Sequence, residues 1–225
     1  MRHDLDEYFA PLRSKFELLA NPVKAEFQQN YMRNKFMCFG LTARQLREAA
    51  KEFYNENGYP PVEKLGEISL YLWNMPERDY QHVALDLLHK FEKKLRKQDI
   101  VWIEQLIVQK SWWDTVDGLS AWICGTYFMN FPEEIKPITG NWMDSGNLWL
   151  QRSALLFQLK YKQKTDTDLL SKYIERLIHH NDFFIRKAIG WVLREYSKTH
   201  PSWVKTFVEA HSLSALSYRE AVKYI

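Results

Sequence analysis

The sequence is poor in the residues that cross-link a chain, interrupt helices or anchor a protein in a membrane. It contains two cysteines, eight prolines and eight glycines among 225 residues. Cys38 and Cys124 belong to no CxxC pair and have no histidine-rich neighbours, so the sequence predicts neither a zinc site nor a disulfide framework. We expect both to be small buried hydrophobes in a reducing compartment. No segment approaches the roughly 20 apolar residues of a membrane span, and we therefore expect a cytoplasmic protein.

The motifs of several enzyme classes are also missing. The sequence has no GxSxG segment, no glycine-rich nucleotide loop and no cluster of metal ligands. His179 and His180 are adjacent, so their side chains point in different directions and make a poor ligand pair. We therefore expect neither a metal ion nor an organic cofactor.

Charge is nearly balanced overall but unevenly distributed. The formal net charge is +3. Residues 1–139 carry 18 basic and 20 acidic side chains, whereas residues 140–225 carry 13 and 8. The basic C-terminal part is either a set of solvated helix faces or a surface for a polyanion, and charge alone does not distinguish the two.

Apolar residues recur every three or four positions along most of the chain, which is typical of helices. Alternation of the kind expected for strands is scarce, and 46% hydrophobic residues suffice for a continuous core. The pattern predicts an all-α protein with helices over residues 23–36, 42–56, 63–73, 78–95, 99–109, 112–129, 132–143, 148–162, 166–179, 182–197 and 201–210.

A small residue recurs at matching places in successive helices. The markers are Ala50, Ala84, Ala121, Ala154, Ala188 and Ala221, with spacings of 34, 37, 33, 34 and 33 residues. A period of this size fits one helical hairpin per repeat, each hairpin burying its apolar face against the next. The sequence therefore predicts one α-solenoid domain over residues 1–225, of about six repeats. A globular helical bundle is the alternative.

Three conspicuous side chains occupy related positions in this repeat. Counted from the marker alanine, Trp113 lies at −8, Asp117 at −4 and Trp191 at +3. Steps of four and seven residues stay on one stripe of a helix. Because the second helices of such hairpins usually line a concave surface, the three residues are expected to face one groove, although 74 positions separate Asp117 from Trp191.

The segment KSWWDTVDG assigns different tasks to its two aspartates. Ser111 and Asp114 fit a capping box, with Ser111 as N-cap. Trp112, Val116, Leu119 and Ile123 share an apolar face that is expected to pack against neighbouring repeats. Asp117 lies too far into the helix to cap it and has no basic residue at i±3 or i±4.

The local sequence leaves two interpretations open for these side chains. Asp117 either bonds to another repeat or faces water, and Trp113 and Trp191 are either core residues or groove residues. Taken together they indicate an aromatic groove with one carboxylate. Each aromatic face attracts a cation by roughly 0.5 to 2 kcal/mol, so such a groove suits a positively charged ligand or transition state.

Basic residues lie on the second helices of the last repeats, where they are candidates for phosphate contacts. We predict backbone contacts from Lys160, Lys162, Arg186 and Arg194. Arg152, Lys187 and Lys198 lie nearby in the repeat, and any of these side chains is equally compatible with an ordinary exterior charge.

Several segments resemble the DNA alkylation repair glycosylases of the AlkD family, which are built from HEAT-like repeats. They are NPVKAEFQQNYMRNKF (21–36), WNMPERDYQHVALDLL (73–88), KSWWDTVDG (110–118), NLWLQRSALLFQLKYKQK (147–164) and FFIRKAIGWVLREYSK (183–198). The resemblance implies a C-shaped α-solenoid that holds duplex DNA in its concave face. It implies excision of cationic N3- and N7-alkylated purines, without flipping the base into a pocket.

The resemblance also implies roles for individual residues. Trp113, Asp117 and Trp191 match the catalytic positions of the family. Arg152 and Tyr31 match supporting site positions, and Arg152, at −2 from its alanine, is expected nearer the rim or the phosphates. The implied partner is duplex DNA with alkylated purines. The sequence gives no basis for predicting an oligomer, so we expect a monomer. The alternative is a solenoid that binds DNA or a protein without catalysis.

Overall fold

The computed structural model describes residues 2–225, with side chains from residue 4 onward. In this range the chain forms helices joined by short turns, and the only β pairing is an isolated bridge between Met37 and Glu77. The prediction of an all-α fold is confirmed. The helices are α1 (Arg2–Tyr8), α2 (Ala10–Leu19), α3 (Pro22–Tyr31), α4 (Ala43–Asn57), α5 (Leu65–Asn74), α6 (Arg78–Phe91), α7 (Ile100–Val108), α8 (Trp113–Gly118), α9 (Gly125–Asn130), α10 (Ile135–Asp144), α11 (Leu148–Leu156), α12 (Thr167–Leu177), α13 (Phe183–Ser197), α14 (Pro201–Ala210) and α15 (Ala215–Ala221).

The chain divides into two compact units. The first comprises Met1–Lys94 and the second Leu95–Ile225. In the first, α4 packs on α6, and α5 packs on α6. In the second, α11 lies between α8 and α13, and α13 packs on α15. Each unit therefore contains helices that stack on the equivalent helix of the next repeat. The prediction that residues 1–225 form one domain stays a prediction.

All six marker alanines are buried, as the repeat requires. They lie on α4, α6, the segment after α8, α11, α13 and α15, which are the helices that pack side by side within each unit. A small side chain at these positions lets neighbouring backbones approach closely. The four residues predicted to form one apolar face, Trp112, Val116, Leu119 and Ile123, are also buried.

Some predicted boundaries were wrong. The helix predicted over 23–36 ends at Tyr31, because Arg33 and Asn34 adopt positive φ angles of 56° and 55°. Such left-handed residues stop an α-helix. Neither α1 nor α2 was predicted, and α2 lacks a side-chain cap, since its N-cap Phe9 makes no side-chain capping bond, although a proline lies in its first turn.

A π-helical segment, Leu119–Cys124, follows Asp117 almost directly. It joins α8 to α9 without a break, so residues 113–130 form one continuous helical stretch. A π turn holds one extra residue and shifts the faces of everything beyond it. Ala121 and Cys124 within this segment are both buried, as expected for the marker alanine and for this cysteine. Cys38, by contrast, is partly exposed, so the prediction that both cysteines are buried was wrong for it.

Among the described residues no helix has both the length and the apolar character required to cross a bilayer.

Gly190→Ala is expected to destabilise the second unit by about 1–3 kcal/mol, because it overpacks the contact between α13 and α15. A Cβ at Gly190 would lie 2.6 Å from Glu220 Cβ and 2.7 Å from the Ser217 carbonyl oxygen. Gly140→Ala in α10 is the matched control, since its Cβ meets nothing within 4 Å and alanine favours a helix by about 0.5–1 kcal/mol. The urea midpoint should therefore be lower than that of the parent for Gly190→Ala and higher for Gly140→Ala. Equal midpoints for the two variants would contradict the close packing of α13 and α15.

Candidate active site

Asp117 is paired with Arg152 across two neighbouring repeats. Arg152 Nε donates to Asp117 Oδ1 at 2.7 Å and Nη2 donates to Oδ2 at 2.9 Å. The third nitrogen of the guanidinium, Nη1, donates to the carbonyl oxygen of Phe184. The Arg152 side chain is 3% exposed and that of Asp117 is 17% exposed. The carboxylate is thus fixed in orientation by a bidentate pair and still reaches solvent.

Three helices bring these groups together, and side-chain caps start two of them. Asn147 caps α11, which carries Arg152, by accepting from the backbone N–H groups of Trp149 and Leu150. Asp182 caps α13 by accepting from Phe184 N–H at 2.7 Å. These caps determine where α11 and α13 begin. They therefore determine which position along each helix brings Arg152 next to the Phe184 carbonyl.

A cluster of aromatic rings lies beside the Arg152 end of the ion pair. The Trp112 ring lies 5.0 Å from Phe184 and 5.8 Å from Trp149, and Trp149 lies 5.1 Å from Phe184. The Arg152 guanidinium lies 5.9 Å from the centre of the Phe184 ring. The apolar walls keep water from most of the pair, which strengthens its electrostatic interaction.

The protonation of Asp117 reflects two opposing influences. Burial raises the pKa of the Asp117 carboxyl above its ordinary value, and the Arg152 hydrogen bonds and positive charge act against that shift. Both carboxylate oxygens accept from guanidinium N–H groups, an arrangement that the ionised form satisfies. We therefore regard the pair as ionic near neutral pH.

Two predictions about these residues were wrong. Ser111 does not cap the helix, because the N-cap is Trp112, and the Ser111 hydroxyl donates to the Ile107 carbonyl at the end of α7. Asp114 does lie in the first turn of α8, where a carboxylate interacts well with the helix dipole. Arg152 was expected near the rim, whereas it is buried against Asp117.

Trp113 and Trp191 lie on helices that adjoin the ion pair. Trp113 opens α8, one turn before Asp117, and is partly exposed. Trp191 is also partly exposed and lies on α13, the helix whose first turn accepts the Arg152 hydrogen bond. Neither tryptophan is fully buried, and their joint approach to one substrate stays a prediction.

The remaining predicted residues have varied surroundings. Tyr31, at the end of α3 in the first unit, is 66% exposed. Arg186 donates to the His180 carbonyl at 2.9 Å and to Asn181 Oδ1 at 2.8 Å, and Arg194 pairs with Glu220. Both guanidinium groups thus have partners inside the protein.

The two predicted lysines are more open. Lys160 Nζ lies 3.9 Å from a Glu195 carboxylate oxygen and 5.2 Å from the centre of the Trp122 ring. Lys162 is exposed, with φ of 54°, in the turn after α11. Their predicted contacts with phosphates stay predictions.

The sequence reasoning missed Phe184 and Trp149, which form the walls. One signal was present, since Trp149 and Arg152 are three residues apart and therefore share a face of α11. Within residues 2–225 no cluster of three or more His, Cys, Asp or Glu side chains is arranged to hold a metal ion.

The fold and this site define an all-α repeat protein with a shielded acid–base pair between aromatic walls. The chain matches the model of the family described as DNA alkylation repair enzyme over residues 12–225, and it belongs to that family. It is similar to a predicted DNA alkylation repair enzyme from Enterococcus faecalis, with 35% identity, a TM-score of 0.84, and coverage of 92% of this chain and 96% of that one. AlkD2 from Streptococcus mutans shares the fold at 18% identity and a TM-score of 0.61, over 82% and 91% of the chains. No curated protein matches the chain significantly.

Proposed function

We propose that the protein is a DNA glycosylase that hydrolyses the N-glycosidic bond of cationic N3- and N7-alkylated purines in duplex DNA. The observation that carries the proposal is the Asp117 carboxylate, which is oriented by Arg152, largely buried and still partly open to solvent, with the Phe184 ring beside its partner Arg152. A carboxylate in such surroundings stabilises positive charge on a sugar better than one in water. Membership of the DNA alkylation repair enzyme family supports the substrate class.

The proposed chemistry needs one carboxylate instead of two. Most glycoside hydrolases use a second carboxyl group to protonate the leaving group. An alkylated purine already carries a positive charge, so the electrons of the glycosidic bond move to the base, which leaves neutral. Positive charge then develops on the deoxyribose, and a water molecule attacks C1′ and loses a proton. The reaction yields the free base and an abasic site.

Asp117 is proposed to act on this developing charge. Arg152 uses one acceptor position on each carboxylate oxygen, and each oxygen of a carboxylate has a second one. The second positions are suited to orient the attacking water and to face C1′. Arg152 thus fixes the orientation of the carboxylate and neutralises part of its negative charge. The apolar surroundings strengthen the interaction of the remaining negative charge with the sugar.

The aromatic residues are proposed to hold the substrate. Trp113 and Trp191 pack on the sugar and backbone of the lesion, with the positive charge against their ring faces. Tyr31 takes a supporting role, and Lys160, Lys162 and Arg186 contact phosphates, whereas Arg194 is held by Glu220. The lesion remains in the duplex instead of entering a pocket.

The charge of the lesion provides the direct test of this proposal. Matched duplexes carrying 7-methylguanine, which is cationic, or O6-methylguanine, which is neutral, are incubated with excess protein, and the released base is quantified by chromatography. We expect release of the cationic base alone. Equal release of both would contradict a mechanism that depends on a precharged leaving group.

The excision rate should fall on the acid side of its pH profile with a midpoint above the pKa of an ordinary aspartate, which is about 3.9. Burial raises the pKa of Asp117, so the carboxylate becomes protonated at a higher pH and its action on the sugar is lost there. Single-turnover rates between pH 4 and 8, corrected for spontaneous loss of base, measure this fall in rate. Trp191→Phe is expected to lower the rate without moving the midpoint. A rate that stays flat down to about pH 4 would contradict the role of the buried carboxylate.

A further inference from the structure

A second buried carboxylate lies beside the helix that carries Trp191. Glu220 on α15 is 6% exposed. Its Oε1 accepts from Lys187 Nζ at 2.7 Å, and its Oε2 accepts from Arg194 Nη1. Nothing in the proposed chemistry uses this group. One carboxylate therefore restrains two cations of α13 at once.

The contact is close because α15 fits tightly against α13. Gly190 leaves room for the backbone of α15, since any Cβ there would collide with Glu220 and Ser217. Ser217 Oγ also donates to the Arg186 carbonyl at 2.8 Å. These contacts hold Glu220 against Gly190, the residue immediately before Trp191.

The positions of Lys187 and Arg194 around α13 relate their contacts with Glu220 to Trp191. At 3.6 residues per turn, these positions follow one another around α13 in the order Trp191, Lys187, Arg194 and Gly190. Measured from Lys187, Trp191 lies about 40° to one side, and Arg194 and Gly190 lie about 20° and 60° to the other side. Lys187 and Arg194 thus lie between Trp191 and the face that contacts α15. They are also the residues at i−4 and i+3 from Trp191, the positions from which a side chain reaches a helical neighbour.

An indole is the best aromatic partner for a cation, so Lys187 and Arg194 compete with any cationic ligand of Trp191. Elsewhere in the second unit basic side chains do lie on aromatic faces: Lys160 is 5.2 Å from the Trp122 ring centre and Lys198 is 5.6 Å from that of Tyr224. Among the described residues, no lysine or arginine lies over Trp191. Glu220 instead binds Lys187 and Arg194, the two basic residues of α13 at i−4 and i+3 from Trp191.

We propose that Glu220 is a positioning residue that keeps the indole face of Trp191 open for a cationic substrate by holding Lys187 and Arg194 against α15. This inference rests on the proposed function, because an open indole matters only where the ligand is cationic. Glu220 also offsets part of the positive charge that would otherwise repel that ligand.

Glu220→Gln is the first test, because the amide keeps the size of the side chain and removes its charge. Single-turnover excision of 7-methylguanine at saturating protein is expected to fall roughly twofold to fivefold, the range of one cation–π contact. The dissociation constant for an undamaged duplex should not rise, since the two freed cations favour phosphate binding. A loss of affinity with an unchanged rate would overturn the inference.

Rescue distinguishes positioning from a purely structural role. Lys187→Met and then Arg194→Met, added in turn to Glu220→Gln, remove the competing cations, and the rate should rise at each step. A slow Glu220→Gln variant that neither step rescues would assign Glu220 to structure alone. A parental rate in Glu220→Gln would overturn this inference and leave the proposed glycosylase intact, whereas failure of the parent to release base would overturn both.

Discussion

Asp117→Asn should slow the excision of 7-methylguanine by about two to three decades, the usual effect of removing one preorganised electrostatic group. Asparagine has nearly the same shape but carries no charge to stabilise the sugar. Its amide group also donates where a carboxylate oxygen accepts from Arg152, so one of the two hydrogen bonds is lost. Single-turnover release of the base, with protein in excess over the duplex, measures the effect.

Asp114→Asn is the matched control, since it makes the same substitution one turn earlier on α8. It is expected to excise within about threefold of the parent, because a charge near a helix start contributes only about 0.3–1 kcal/mol. Affinity for undamaged duplex should be similar in both variants, because neither side chain is a phosphate ligand. Excision by Asp117→Asn at the parental rate would show that the assigned role is wrong.

Arg152→Met should destabilise the second unit by about 3–5 kcal/mol, because it leaves a buried carboxylate without its partner. The substitution removes both hydrogen bonds to Asp117 and the one to the Phe184 carbonyl. Chemical unfolding followed by tryptophan fluorescence measures the loss. A change below about 1 kcal/mol would be typical of an exposed ion pair and would contradict the burial of this one.

A double variant separates stability from catalysis at the same site. Asp117→Leu combined with Arg152→Met leaves no buried charge, so it is expected to recover most of the stability lost by Arg152→Met alone. Excision by the double variant should stay about as slow as that of Asp117→Asn, because the carboxylate is missing. If the double variant were no more stable than Arg152→Met, the cost of an unpaired charge would not be the reason for the loss.

The repeat and the main helices could be predicted from the sequence because both depend on local periodicity. The alanine markers report a requirement for close packing that recurs in every hairpin, and all six are buried. The helical spacing of residues also distinguished the apolar face around α8 from Asp117. Trp112, Val116 and Leu119 are buried, whereas the Asp117 side chain is partly exposed.

The partner of Asp117 could not be predicted, because it lies 35 residues away and belongs to another repeat. Positions counted from Ala121 also cross the π-helical segment, whose wider turn rotates Asp117 relative to that marker. Arg152 itself is counted from Ala154 on the regular helix α11, and its long side chain reaches Asp117 from a position that this count places off the stripe. The capping prediction for Ser111 failed because the helix begins one residue later, with Trp112 as its N-cap, and the Ser111 hydroxyl donates to the end of α7.

The most direct test of the central claim is to incubate the pure protein with methylated duplex DNA and to quantify free methylpurine and abasic sites together. A glycosylase is expected to produce the two in equal amounts, far above the spontaneous rate, and Asp117→Asn should produce both about two to three decades more slowly. Duplex binding with no release of base by the parental protein would contradict the account and indicate a repeat protein that binds DNA without catalysis.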